Sequence, residues 1–282
     1  MPAGLIGWWA GEGNAKDFVG AHNGTNQGGV SFTAGKVGQA FSFNGTNAYV
    51  DLGNWFNLQT FTICCWLKPA AVQTSNANII DNNQSTNSSW ALGDEGTALT
   101  FDWDERWAPG EEGLISVTLV SNVWQHLAIT VDSNFVNRLY LNTELIGSFQ
   151  QRPIYYDGTQ FLRLGRWGGG GRFFNGLIDE LCIFNRALSP NEISAIYIAD
   201  SAGVCQSSFA FDTSPAGLKW TSNGLQMTLL GLTGHGPVMI YSSTDLLSWL
   251  PIYTNPPAVG SIQFLDTSAT NYTGRFYRAL QQ

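Results

Sequence analysis

Apolar and polar positions alternate with a period of two along most of this chain. The pattern recurs in "QAFSFNGTNAYVDLG", "FTICCWLKP", "ANIIDNN", "SWALGDEGTALTFDWD", "GLISVTLVSN", "WQHLAITVD", "NRLYLNTELIGSFQ" and "FLRLGRW". Each run is bounded by Gly, Asn, Asp or Pro, so the spacing predicts short antiparallel strands packed as a sandwich. One segment departs from this rhythm. In "LSPNEISAIYIAD", Ser189 stands as an N-cap, Pro190 at the first helical position and Glu192 three residues after the cap. Ile193, Ile196 and Tyr197 follow at helical spacing. The segment predicts one short helix at the edge of the sandwich, ending near Gly203.

After Cys205 the alternation lapses, and "QSSFAFDTSPAG" reads as a connector. A second set of strand-like runs follows in "LKWTSNGLQMTLLGL", "GPVMIYSSTDLLSWLPIYT", "GSIQFLDTS" and "GRFYRAL". This places a domain boundary near residue 207: residues 1–206 form the larger β domain, and residues 207–282 a small β-sandwich with a limited core.

Composition sharpens the class. The chain has 32 Gly and 11 Trp, and only 12% of its residues are charged, about half the usual share. This suits short strands joined by glycine-rich turns. The formal charge of −8 argues against nucleic acid or an anionic membrane as partner, since no basic cluster exists to displace counterions. Uncharged carbohydrate meets no such barrier. No apolar run reaches the ~18 residues needed to span a bilayer, so no membrane insertion is expected. "MPAGLIGWWAGEG" lacks the basic start and apolar core of a secretion signal. A chain whose signal has been removed, and so a secreted protein, fits this beginning. Adjacent Cys64 and Cys65 would point to opposite faces of one strand. The pairing of Cys64, Cys65, Cys182 and Cys205 stays open, with one or two disulfides compatible with their spacing.

The run "FNGLIDELCIFNRALSPNEISAIY" resembles the end of the LamG-like jelly-roll family, a concanavalin A-like fold related to laminin G domains and pentraxins. "GWWAGEGNAKDFVGAHNGT", "FTICCWLKP" and "WQHLAITVD" match the same pattern in order, so the resemblance covers residues 4 to 205. It implies an all-β, antiparallel concanavalin A-like jelly-roll sandwich with one short helix. Residues 207–282 look like the small fibronectin- or immunoglobulin-like β-sandwich of secreted bacterial proteins, which serves as a spacer. The resemblance also implies a structural Ca²⁺ held by a carboxylate in the first loop and another on the last strand. Here Asp17, with Glu12 close by, would meet Asp179 of "LIDEL", and oxygens of "AHNGT" would supply part of the six to eight ligands. Without a metal, Asp179 would order the terminal strand through hydrogen bonds alone.

Sugar rings stack on aromatic faces while carboxylates and guanidiniums bind their hydroxyls. "TFDWDERWAPGEEG" places Trp103 and Trp107 beside Asp102 and Asp104, and "GRWGGGGRFFNG" places Trp167 and Arg172 at the ends of a glycine run. These six residues are the candidate ligand contacts, with packing under loops as the alternative for Trp107 and Trp167. Trp8, Trp66 and Trp124 read as core, and His126 as half-buried. The glycine run meets no phosphate-binding signature, because a strand and not a helix follows it.

Catalytic signatures are sparse. The paired-carboxylate strands of concanavalin A-like glycosidases, E-x-D-x-E or E-x-D-x-x-E, are approached only by Asp102 and Asp104 of "DWDE". No G-x-S-x-G elbow and no R-x-E-x-R strand occurs. The reading is therefore non-catalytic binding of a glycan or polysaccharide by a secreted protein, with Ca²⁺ in support. Adhesion to other surface proteins is the first alternative, and a glycoside hydrolase using Asp102 and Asp104 the second.

Overall fold

The computed structural model describes residues 3–82, 89–94, 99–108, 111–150, 153–156, 158–199, 210–233, 237–246 and 248–281; the side chains of 89, 94, 104–108, 111–113, 210, 233, 259 and 281 lie outside that description. Contacts divide the chain into two units, Pro2–Val204 and Cys205–Gln282.

The first unit holds β1 (Leu5–Trp9), β2 (Thr25–Gln27), β3 (Ser31–Ala34), β4 (Gln39–Asn44), β5 (Tyr49–Asp51), β6 (Phe61–Pro69), β7 (Asn78–Asp81), β8 (Ser89–Asp94), β9 (Thr100–Ala108), β10 (Glu111–Thr118), β11 (Gln125–Val131), β12 (Val136–Leu141), β13 (Glu144–Gln150), β14 (Arg163–Leu164) and β15 (Asn175–Phe184), followed by α1 (Pro190–Ala199). Two antiparallel sheets result. One runs β13-β12-β11-β6-β15-β4-β3 with β1 also paired to β15, and the other runs β10-β9-β8-β7-β14-β5-β2. The first strand lies against the last, with Trp8 opposite Cys182.

Alternation sorts the side chains between core and surface. Val50 of β5, Leu164 of β14, Leu92 of β8 and Phe101 of β9 enter one continuous core with Trp9, Phe41, Ile63 and Ile183. That core is why the period of two survives in the sequence: a one-residue slip would turn each strand's apolar set toward solvent. Cys65 belongs to the core while Cys64 does not, as their opposite orientation requires.

The outer face of β6 is apolar as well, because α1 covers it. Ile193 and Ile196 are buried, and Tyr197 stacks on Trp66 with ring centroids 5.5 Å apart. Trp8 and Trp66 are thus buried as expected, whereas Trp124 is only half-buried. The capping box forms as read from the sequence. Ser189 Oγ accepts from Glu192 N at 3.3 Å, and Glu192 Oε2 accepts from Ser189 N at 2.8 Å.

The second unit contains β16 (Ala210–Phe211), β17 (Leu218–Thr221), β18 (Gly224–Thr233), β19 (Val238–Ser243), β20 (Leu250–Asn255), β21 (Val259–Asp266) and β22 (Phe276–Gln281). β16, β18 and β17 form one sheet with β21 paired to β18, and β20-β19-β22 form the other. Its apolar core is small, centred on Met227, Leu229, Leu232, Val238, Ile240 and Phe264.

Candidate functional site

The outer face of the seven-stranded sheet carries a ladder of charge. Arg163 on β14 lies opposite Asp51 on β5 and opposite Asp81 on β7, so three charged residues stand side by side across three strands. Arg163 and Asp81 are buried. Burial pulls the Arg163 pKa down, against the attraction of Asp51 and Asp81.

The glycine loop between β14 and β15 sits on this ladder. Asp81 Oδ1 accepts from Gly168 N at 3.0 Å, and Arg172 O accepts from Asn78 N at 2.9 Å. Gly165 has φ +85°, and a Cβ there would press into the ring of Phe43, so the sheet exit requires glycine. The loop then displays two guanidiniums on aromatic rings. Arg166 lies 4.6 Å from the ring centroid of Tyr49 and 5.9 Å from that of Phe173. Arg172, exposed and at φ +53°, lies 4.5 Å over Trp167. The ring-facing and backbone contacts of these two arginines include no carboxylate among the described residues.

Trp167 is half-buried, and its six-membered ring packs on Gly169, where a Cβ would collide with it. Gly169→Ala is therefore expected to displace the indole. The change should alter tryptophan fluorescence and weaken ligand binding while moving the melting temperature by no more than a few degrees. An unchanged emission spectrum would contradict this packing.

Other candidates fall differently. Trp103 was expected at a ligand, but it is fully buried and donates from Nε1 to Asn137 Oδ1 at 2.9 Å. It is a core residue, since strand alternation sends it inward with Phe101. Asp102 faces the other way, 6% exposed, with Oδ1 lacking a hydrogen-bond partner. It is opposite Gly93, which is opposite Asn78, the anchor of the glycine loop. Three strand spacings, roughly 14 Å, separate it from the loop. The side chains of Asp104 and Trp107 lie outside the described residues. Sequence reading missed Tyr49, Asp51, Asp81, Arg163 and Arg166. For Asp51, Asp81 and Arg163 the signal was the single charged residue inside each of the short apolar runs "YVD", "NIID" and "LRL", which only strand pairing assembles into a site.

The three proposed calcium ligands each accept backbone N–H groups. Asp17 Oδ1 accepts from the backbone N–H of Trp8, Val19 and Gly20, each at 3.0 Å, and Oδ2 accepts from His22 N at 3.2 Å. Asp179 Oδ2 accepts from Lys36 N at 2.8 Å and Val37 N at 2.9 Å, while Glu12 Oε1 accepts from Gln39 N at 3.0 Å. Asp17 thus ties the first loop, and Asp179 and Glu12 tie the β3–β4 hairpin. Among the described residues no three His, Cys, Asp or Glu side chains are grouped to hold a metal. These three carboxylates fit backbone ordering better than the oxygen cage that Ca²⁺ needs. His126, read as half-buried, is 1% exposed, because α1 closes over it. No helix among the described residues is long and apolar enough to cross a membrane.

No curated protein matches the sequence. Among solved structures, domain 4 of AbnA, an extracellular GH43 arabinanase of Geobacillus stearothermophilus determined with arabinotriose, is similar with a TM-score of 0.58 at 22% identity, covering 68% of this chain and 97% of that one. The binding domain of botulinum neurotoxin DC determined with SialylT is similar with a TM-score of 0.56 at 15% identity, covering 84% of this chain and 57% of that one. That of Paraclostridial Mosquitocidal Protein 1 gives 0.55 at 16% identity, over 88% and 67%. These likenesses concern the fold. Residues 44–194, from the end of β4 into α1, match the family described as the concanavalin A-like lectin/glucanases superfamily. With the paired jelly-roll sheets and the first strand closed against the last, the match shows that this chain belongs to that superfamily.

Proposed function

We propose that the chain binds a glycan at the Gly165–Phe173 loop over the Asp51–Arg163–Asp81 ladder, as a non-catalytic protein acting outside the cell. One observation carries the reading: the Arg166 and Arg172 guanidiniums lie over aromatic rings, on a loop anchored to the buried Asp81. Donors and acceptors set against aromatic faces are what sugar hydroxyls and C–H faces require. Support comes from structural neighbours determined with arabinotriose and with SialylT, which share the fold.

The test is an array of neutral and sialylated oligosaccharides, including arabinan fragments, read with Ca²⁺ and with EDTA. Binding is expected in both conditions, weakened roughly tenfold or more by Arg166→Ala or Trp167→Ala, about 1.4 kcal/mol each. Unchanged binding in both variants would sink the site. Release of reducing ends from a polysaccharide would instead favour a hydrolase centred on Asp102. If every glycan failed, a protein partner would move ahead; one neighbour was determined with rat synaptotagmin II.

A further inference from the structure

A second cluster lies on the opposite side of the sandwich, between the eight-stranded sheet and α1. Cys64 on β6 is directly opposite Cys182 on β15. Directly opposed residues of antiparallel strands have Cα atoms roughly 4.5–5.5 Å apart, inside the window that a disulfide spans. Cys64 is 1% exposed and Cys182 is wholly buried. His126 stands on the neighbouring strand β11, opposite Trp66, two residues along β6 from Cys64 on the same face. Its ring is 5.3 Å from that of Trp66 and 6.1 Å from that of Tyr197. Neither of its buried ring nitrogens has a hydrogen-bond partner. An imidazole sealed in this way costs stability unless it does something. Of the other ionisable groups nearby, Glu180 accepts from Trp8 Nε1 at 3.2 Å, Lys36 lies over Trp66 at 4.5 Å, and Asp179, opposite Trp66 on β15, keeps its buried Oδ1 without a partner.

We propose that Cys64 and Cys182 form a cross-strand disulfide by exchange with a small-molecule disulfide, with His126 as the base that takes the Cys64 proton. The Cys64 thiolate attacks one sulfur of the disulfide, forming a mixed disulfide and expelling one thiolate. Cys182, giving its proton to the first expelled thiolate, attacks the Cys64 sulfur, forms the Cys64–Cys182 bond and expels the second thiolate, which takes the proton held by His126. Two protein thiols are oxidised and one disulfide is reduced to two thiols. The neighbouring Cys182 thiol, and then His126, hold the Cys64 thiol below its ordinary pKa against the effect of burial. Cys65 on the core face has the opposite character, its pKa raised by burial and then by Cys64 and Asp179. Access requires local opening of this face, where α1 contributes the buried Ile193 and Ile196 and the Tyr197 ring stacked on Trp66.

The full chain is incubated with oxidised glutathione, in buffer and in sub-denaturing urea, then quenched with acid, alkylated under denaturing conditions and mapped by mass spectrometry. A linked pair of peptides carrying Cys64 and Cys182 is expected, with a rise in melting temperature of roughly 5–10 °C. Cys182→Ser should trap glutathione on Cys64 and leave Cys65 unmodified. His126→Gln should slow bond formation tenfold or more while the linked product remains the same. Full alkylation of Cys64 and Cys182 in both buffers, or a bond from either of them to Cys205, would overturn the proposal.

Discussion

Asp17→Ala is expected to destabilise the jelly-roll unit by about 4 kcal/mol, read as a lower denaturant midpoint for that unit's transition. The carboxylate receives four backbone N–H groups, from Trp8, Val19, Gly20 and His22, and its side chain is buried. Alanine leaves all four without their acceptor, that of Trp8 in a buried setting. Net losses of about 1 kcal/mol per bond sum to the stated figure. Asp17→Asn should recover part of it, since one amide oxygen can serve the Trp8, Val19 and Gly20 donors while the amide nitrogen faces the His22 N–H. EDTA should leave the wild-type midpoint where it is. A midpoint that fell with EDTA and no longer responded to it in Asp17→Ala would restore the calcium role to this residue.

The fold was largely legible in the sequence, and the reason is physical. Burying one face of each strand imposes a period of two, and the capping box at Ser189 and Glu192 is a local pattern with a local cause. The site was legible only where it is contiguous. Trp167 and Arg172 sit in one loop and could be named, and the structure shows them stacked on each other. Asp51, Asp81 and Arg163 are separated by 30 and 82 positions and become neighbours only through the β5-β14-β7 pairing. Trp103 shows the opposite failure. Its acidic flanks suggested exposure, yet the same alternation that sends Asp102 outward sends the indole between them into the core. The carboxylates assigned to calcium were correctly singled out as unusual. Their use, ordering two loops through backbone N–H groups, depends on loop conformations that no spacing rule reports.

The second large effect concerns Asp179 and has a defined pH signature. Burial raises its pKa from 3.8 to about 7, against the Val37, Lys36 and Glu180 backbone N–H groups, which favour the charged form. Oδ1 is buried without a partner, which is where a proton would reside. Because the folded pKa lies above the unfolded one, this group's stabilisation is fully present below about pH 4 and is lost as pH rises through about 7. The span is roughly three pKa units, on the order of 4 kcal/mol. Glu192 works in the opposite sense. Its pKa is lowered to about 2, first by Arg186 and then by Ser189, so its contribution is lost only in strong acid. Asp179→Asn keeps an oxygen for the Lys36 and Val37 N–H groups and can carry no charge. The stability difference between wild type and Asp179→Asn should therefore shift by about 3–4 kcal/mol in the variant's favour between pH 4 and pH 8. Titrating groups that do not interact with Asp179 cancel in that difference, so a flat line across the range would show that Asp179 is already ionised in the native protein at pH 4.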